Sequence, residues 1–144
     1  MKKILIVNGP NLNMLGIREP DIYGRESFSQ LVAFIHGAAR EAGFKSHHFQ
    51  SNCEGVIVDT IQQAYGKFDG IIINPAAYTH TSIAIPDALK AVGIPAVEVH
   101  LSDISRRETY RQVSHTSAAC IATIAGKGFE SYRDAFSVLK TALM

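Results

Sequence analysis

Apolar residues follow two rhythms along this chain. Short β-branched runs alternate with longer stretches in which apolar side chains recur every three or four residues. The first run, Lys3–Asn8, is almost wholly Ile, Leu and Val, as a parallel strand covered on both faces requires. Ser27 can cap a helix reaching about Ala42, with Leu31, Phe34, Ile35 and Ala38 on one face and Gly43 at its end. Phe44–Gln50 reads as a weaker strand and Glu54–Tyr65 as a helix closed by Gly66. Gly70–Asn74 is a third strand, followed by a helix over Ser82–Val92 closed by Gly93. Ala96–Leu101 and Ala118–Ala125 complete the strands, and Glu130–Met144 is the last helix.

Alternation of this kind predicts an α/β fold with a parallel sheet and helices on both faces. For five units the common solution is a flavodoxin-like three-layer sandwich with strand order 2-1-3-4-5. No linker, repeat or low-complexity segment interrupts the pattern, so residues 1–144 are expected to form one domain. In such a sheet ligands bind beyond the carboxyl ends of the strands, near the switch point between strands one and three.

The polar residues collect at those ends. Asn8, Gly9, Pro10, Asn11, Asn13, Arg18, Glu19 and Tyr23 follow strand one. Asn74, Pro75, Tyr78, Thr79, His80, Thr81 and Ser82 follow strand three, and Glu98, His100, Ser102, Arg107 and Arg111 follow from strand four. Gln50-Ser51-Asn52 at the end of strand two could form a wall. The connection from Gly9 to Glu26 is long beside the usual length of about 2–6 residues, and reads either as a binding loop or lid, or as a surface insertion.

Within these clusters Glu98-Val99-His100 is the most specific pattern. Residues two apart on a strand share a face, so Glu98 can orient His100 or tune its proton affinity. A histidine on a strand can be merely packed, but the carboxyl end of a central strand favours chemistry. Asn74 either presents its amide to a ligand or ends the strand by turn chemistry. The hydroxyls of Thr79, Thr81 and Ser82 can cap the following helix, which leaves His80 for a contact role.

Composition narrows the partners. The 144 residues are 47% hydrophobic with a net charge of +1, which points away from nucleic acid and from a charged membrane surface. No apolar run approaches the roughly 20 residues of a membrane span. Met1-Lys2-Lys3 leads into a strand rather than a signal peptide. Cys53 and Cys120 are too few and too far apart for a disulfide scaffold or zinc knuckle, so a reducing, cytoplasmic setting is expected.

The chain lacks a G-x-G-x-x-G dinucleotide loop, a Walker A loop, a G-x-S-x-G elbow and any metal-ligand spacing. Its lysines lie at strand starts, on helices or after the edge strand, away from where an imine-forming residue would be needed. No metal and no organic cofactor are therefore expected. A cleft of Asn, Arg, Tyr, His and Glu suits a small anionic, hydroxylated substrate and proton transfer. Two non-catalytic readings of the fold fit poorly. A phospho-accepting receiver wants acidic groups where Asn8 and Asn74 stand, and a flavin carrier wants a phosphate loop that Gly9–Asn13 does not supply.

The motifs taken together resemble the type II 3-dehydroquinate dehydratases. The resemblance rests on Asn8-Gly9-Pro10-Asn11-Leu12-Asn13, Arg18-Glu19-Pro20, Tyr23-Gly24, Gln50-Ser51-Asn52, and the run Asn74 to Ser82. Asp87-Ala88-Leu89, Glu98-Val99-His100-Leu101-Ser102, Arg107-Glu108 and Arg111 extend it. It implies conversion of 3-dehydroquinate to 3-dehydroshikimate through an enolate, with water lost from the face opposite the proton. The setting would be shikimate synthesis or quinate breakdown, and the assembly a dodecamer of trimers. It further implies Tyr23 as base, Arg18 as the cation that keeps it ionised, His100 as acid and Glu98 as its support. Asn11 would hold a water that stabilises the enolate. Asn74, His80, Arg111 and the backbone of Leu101 and Ser102 would bind substrate, and Asp87 would reach a neighbouring subunit's site. Cys53 and Pro86 depart from the family pattern, where His and Arg are common, and Ser114–Gly128 is less typical than the middle of the chain.

Overall fold

A computed structural model describes residues 1–17, 21 and 26–144. Its strands are β1 (Lys3–Asn8), β2 (Lys45–Gln50), β3 (Gly70–Asn74), β4 (Ala96–His100) and β5 (Ala122–Ala125). Among the described residues the longer helices are α1 (Phe28–Ala42), α2 (Glu54–Gln63), α3 (Ala84–Val92) and α4 (Glu130–Leu143). The strands form one parallel sheet in the order β2-β1-β3-β4-β5, as the sequence predicts.

Strand alternation divides the core into two layers. Ile4 and Ile6 of β1, Ile72 of β3, and Val97 and Val99 of β4 pack with Leu31 and Ile35 of α1 and with Tyr132, Phe136 and Leu139 of α4. Leu5, Val7, Ile71, Ile73 and Ala96 face the other way, against Ile57 and Ile61 of α2 and Ile85 and Leu89 of α3. This explains the unbroken apolar runs of β1 and β3. The same parity fixes the strand-end residues: Asn8 and Asn74 turn toward α4, while Glu98 and His100 turn to the opposite face.

The helix ends follow local chemistry. Ser27 and Gln30 form a reciprocal capping box on α1, and Gly43 closes it at φ 86°, where glycine is favoured. Most boundaries fall within two residues of expectation. Strand five differs more, because residues 116–119 form a 3₁₀ turn and only Ala122–Ala125 pair with β4. The Ser114 hydroxyl accepts from the Ser117 N–H, and the Ser117 hydroxyl donates to the Ser114 carbonyl. These local bonds draw the segment out of the ladder. Pro86 is the third residue of α3 and is buried, so this departure leaves the helix intact.

Candidate active site

The connections after β1 and β3 close on one another at the switch point. The Gly9 N–H donates to the Asn74 carbonyl at 2.8 Å, and a side chain on Gly9 would come within 2.6 Å of the Pro75 carbonyl oxygen. Only glycine fits this approach. Asn11 and Ala76, one in each connection, both take positive φ, 69° and 52°. Such conformations are uncommon outside glycine, most of all for alanine, and they concentrate at functional sites. The wall expected of β2 is present as a brace: the Gln50 amide donates to the Gly9 carbonyl and to Asn52 Oδ1, and Asn52 Oδ1 also accepts from the Asn11 N–H at 3.0 Å.

Behind the cleft lies Glu98, with 0% exposure. Its carboxylate accepts from His100 Nε2 at 2.5 Å, from Thr79 Oγ1 at 2.7 Å and from Ser114 Oγ at 2.8 Å. Thr123 Oγ1 adds a longer contact at 3.3 Å. Burial alone would raise the Glu98 pKa. The hydrogen bond and charge of His100, helped by the Thr79 and Ser114 hydroxyls, more than offset this and hold the group below its ordinary value. A buried carboxylate is tolerable only with partners of this kind. Because Nε2 is committed to Glu98, the other ring nitrogen of His100, Nδ1, remains for a ligand.

His100 opens into a cleft that is continuous with solvent. Asn11, Asn74, His80, Leu101, Ser102 and Arg111 line it with His100. These are seven of the eleven residues singled out from the sequence. Glu98 backs the wall without lining it, and Asp87 is exposed on the first turn of α3, outside the cleft. Arg18 and Tyr23 lie outside the described residues. Asn8, grouped with the cleft residues by sequence, is fully buried and bonded to Tyr132 and His48.

The cleft is basic. Arg107 joins Arg111 in its lining, with both guanidinium groups near the Glu108 carboxylate. His80 Nδ1 pairs with the Val113 carbonyl at 2.6 Å. Burial is the main reason that the His80 pKa lies below its ordinary value, and the charges of His100 and Arg111 act in the same direction. Two arginines, a carboxamide and an imidazole suit a compact polyoxygenated anion. No lysine stands among the lining residues. Among the described residues no group of three His, Cys, Asp or Glu is placed to hold a metal ion, and no helix is long and apolar enough to cross a membrane.

Comparison with known proteins agrees with this geometry. The family model for dehydroquinase class II matches residues 2–140. This chain belongs to that family. A relative from Clostridium perfringens named 3-dehydroquinate dehydratase is 54% identical over 142 residues, 98% of this chain and 99% of its own. The crystal structure of a type II dehydroquinase from Butyrivibrio crossotus superposes with a TM-score of 0.93 at 47% identity, covering 96% of this chain and 97% of that one. A type II dehydroquinase from Propionibacterium acnes gives the same TM-score at 42% identity, covering 98% and 97%.

Three groups around the site are not evident from residue order. Thr79 fits a helix cap by its sequence but is fully buried and bonded to Glu98; Ser82 alone of that run caps, accepting from the Ile85 N–H. Ser114 received no role, although it spans both oxygens of Glu98. Tyr132, on the last helix, carried no chemical signal at all, since an amphipathic face with one tyrosine reads simply as core.

Proposed function

We infer that this protein dehydrates 3-dehydroquinate to 3-dehydroshikimate, as type II dehydroquinases do. The observation that carries this reading is the buried Glu98–His100 pair, presented to a basic cleft in a chain of this family. Tyr23, kept ionised by Arg18, removes the proton next to the ketone, and the C–H electrons pass into an enolate. A phenol ordinarily titrates near ~10, so it serves as a base at neutral pH only beside a cation. A water held by Asn11 stabilises the enolate oxygen. As the enolate collapses, the C–O bond breaks and the departing hydroxyl takes a proton from His100 to leave as water. Glu98 keeps the imidazole oriented and compensates its charge throughout.

Asn74, His80, Arg111 and the backbone of Leu101 and Ser102 hold the substrate. Asp87, exposed on α3, is available to a neighbouring subunit, in keeping with a dodecamer built of trimers. The reaction is a step of aromatic amino acid biosynthesis or of quinate breakdown, in the cytoplasm, and requires neither metal nor organic cofactor. The decisive assay is the rise in ultraviolet absorbance as purified protein converts 3-dehydroquinate to the conjugated enone. Activity should survive borohydride added with substrate, as it should prolonged chelation. Inactivation with substrate mass trapped on a lysine would replace the enolate mechanism with an imine one.

A further inference from the structure

A second polar cluster at the strand ends takes no part in the steps above. Asn8 and Asn74 are register partners at the last positions of β1 and β3, and both carboxamides meet the hydroxyl of Tyr132 on α4. All three are buried: Asn8 and Tyr132 have 0% exposure and Asn74 has 2%. The Ala76 N–H bonds to Asn74 Oδ1 at 3.1 Å. A backbone N–H can only donate, so this contact settles which end of the Asn74 carboxamide is oxygen. Nδ2 of Asn74 then donates to the Tyr132 hydroxyl at 3.2 Å. That hydroxyl has a single proton, which goes to Asn8 Oδ1 at 2.6 Å. Asn8 Nδ2 is left to donate to His48 Nε2 at 2.8 Å. Each link has one allowed direction, and all follow from one backbone donor.

Tyr132 does not line the cleft, whereas Asn74 does. We propose that Tyr132 is a positioning residue for the dehydration: the Ala76 N–H sets the polarity of the Asn74 carboxamide, and the Tyr132 hydroxyl, accepting from Nδ2, holds the amide in place so that Asn74 presents an N–H to an acceptor oxygen of the substrate. A flipped Asn74 would set its NH₂ against the Ala76 N–H and its oxygen against a hydroxyl whose only proton is already given to Asn8. The Ala76 bond would be lost outright and the Tyr132 bond regained only by turning Asn8 as well, so the backbone donor and the buried chain together exclude the flip. The site thereby selects an acceptor, such as a carboxylate or carbonyl oxygen, at this point of the ligand. The inference rests on the reading of the protein as a 3-dehydroquinate dehydratase.

Steady-state kinetics of Tyr132→Phe, Asn74→Ala and the double variant test it. Tyr132→Phe keeps the buried ring and removes only the hydroxyl. KM should rise about tenfold, the scale of one hydrogen bond to a charged group, with kcat within about twofold of wild type. A lost structural bond would instead lower the folded, active fraction and hence kcat per mole of protein, leaving KM alone. In the Asn74→Ala background, Tyr132→Phe should raise KM no further, because its effect passes through Asn74. Multiplying effects would overturn the proposal.

Asn8→Leu combined with Tyr132→Phe supplies the second readout. It replaces both members of a buried polar pair by apolar groups of similar shape, a change that can be nearly neutral for stability. Thermal stability should recover while KM stays raised, and this variant carries the KM comparison if Tyr132→Phe alone does not fold. Recovery of KM along with stability would reduce the hydroxyl to a structural role. An active wild type whose KM is unmoved by Tyr132→Phe refutes this inference alone; a wild type that leaves 3-dehydroquinate unchanged refutes the functional reading and this inference with it.

Discussion

Glu98 and Asn8 are equally buried, each with 0% exposure, yet the sheet treats them in opposite ways. Glu98 turns toward the α2–α3 face and is a charge surrounded by hydroxyls and an imidazole. Asn8 turns toward the α1–α4 face and is a neutral amide in a chain whose direction is dictated by a backbone N–H. Hydroxyl donors rotate, so the Thr79 and Ser114 groups can follow the carboxylate through the proton loss and gain proposed for His100. Paired amides cannot reverse without breaking two bonds. One cluster is suited to moving a proton and the other to holding a shape, although both end at the same cleft.

The sharpest way to break this contrast is to remove the proton carriers. His100→Ala should lower dehydration by about 10²–10⁴-fold, the range for lost acid catalysis. With Tyr23 as the proposed base, the enolate still forms in this variant, so exchange of the substrate α-proton with deuterium oxide should persist. Tyr23→Phe should abolish both dehydration and exchange. If the His100 variant dehydrates normally while the Tyr23 variant still exchanges, the two assignments are reversed or wrong.

Thr79→Val probes the rotating shell with a smaller effect. The replacement is close in shape but removes the 2.7 Å donor to Glu98. With one hydrogen bond to a charged group lost, about 1.5–3 kcal/mol, kcat should fall at least about tenfold. The Glu98 pKa should also move up toward its ordinary value, because burial would meet less opposition. The acid limb of the rate profile should shift with it. An unchanged profile would mean that His100 and Ser114 suffice to keep Glu98 ionised.

These contrasts mark what was readable from residue order. The central strands were plain because Ile4, Ile6 and Ile72 pack on one layer while Leu5, Val7, Ile71 and Ile73 pack on the other, which forces continuous apolar runs. Glu98 and His100 were legible as a pair because strand geometry places them on one face two residues apart. The partners of that pair were not, since Thr79 and Ser114 reach Glu98 from separate connections that only the folded sheet brings together. Tyr132 is harder still, 124 positions from Asn8 and on the final helix. Residues 118–121 resembled a strand by composition, but the Ser114–Ser117 bonds upstream decided the backbone otherwise.

The weakest expected effect lies at the far end of the amide chain, in the pH dependence of stability. Burial, reinforced by the nearby charge of His36, lowers the His48 pKa from the ordinary 6.5. The unfolded chain therefore takes up a proton at this position at higher pH than the fold does. His48 contributes its full share of stability above about pH 6.5, and that share is lost as pH falls toward the lowered folded value. Glu98 is depressed as well, but its window opens only below the ordinary carboxylate range of about 4.3, so the two groups separate on the pH axis. His48→Gln can keep an acceptor for Asn8 Nδ2 while removing the titration. Between about pH 6.5 and 5, the melting temperature of the variant should fall less steeply than that of wild type. Identical slopes would mean that the amide chain tolerates a protonated His48, and that its direction is not enforced at that end.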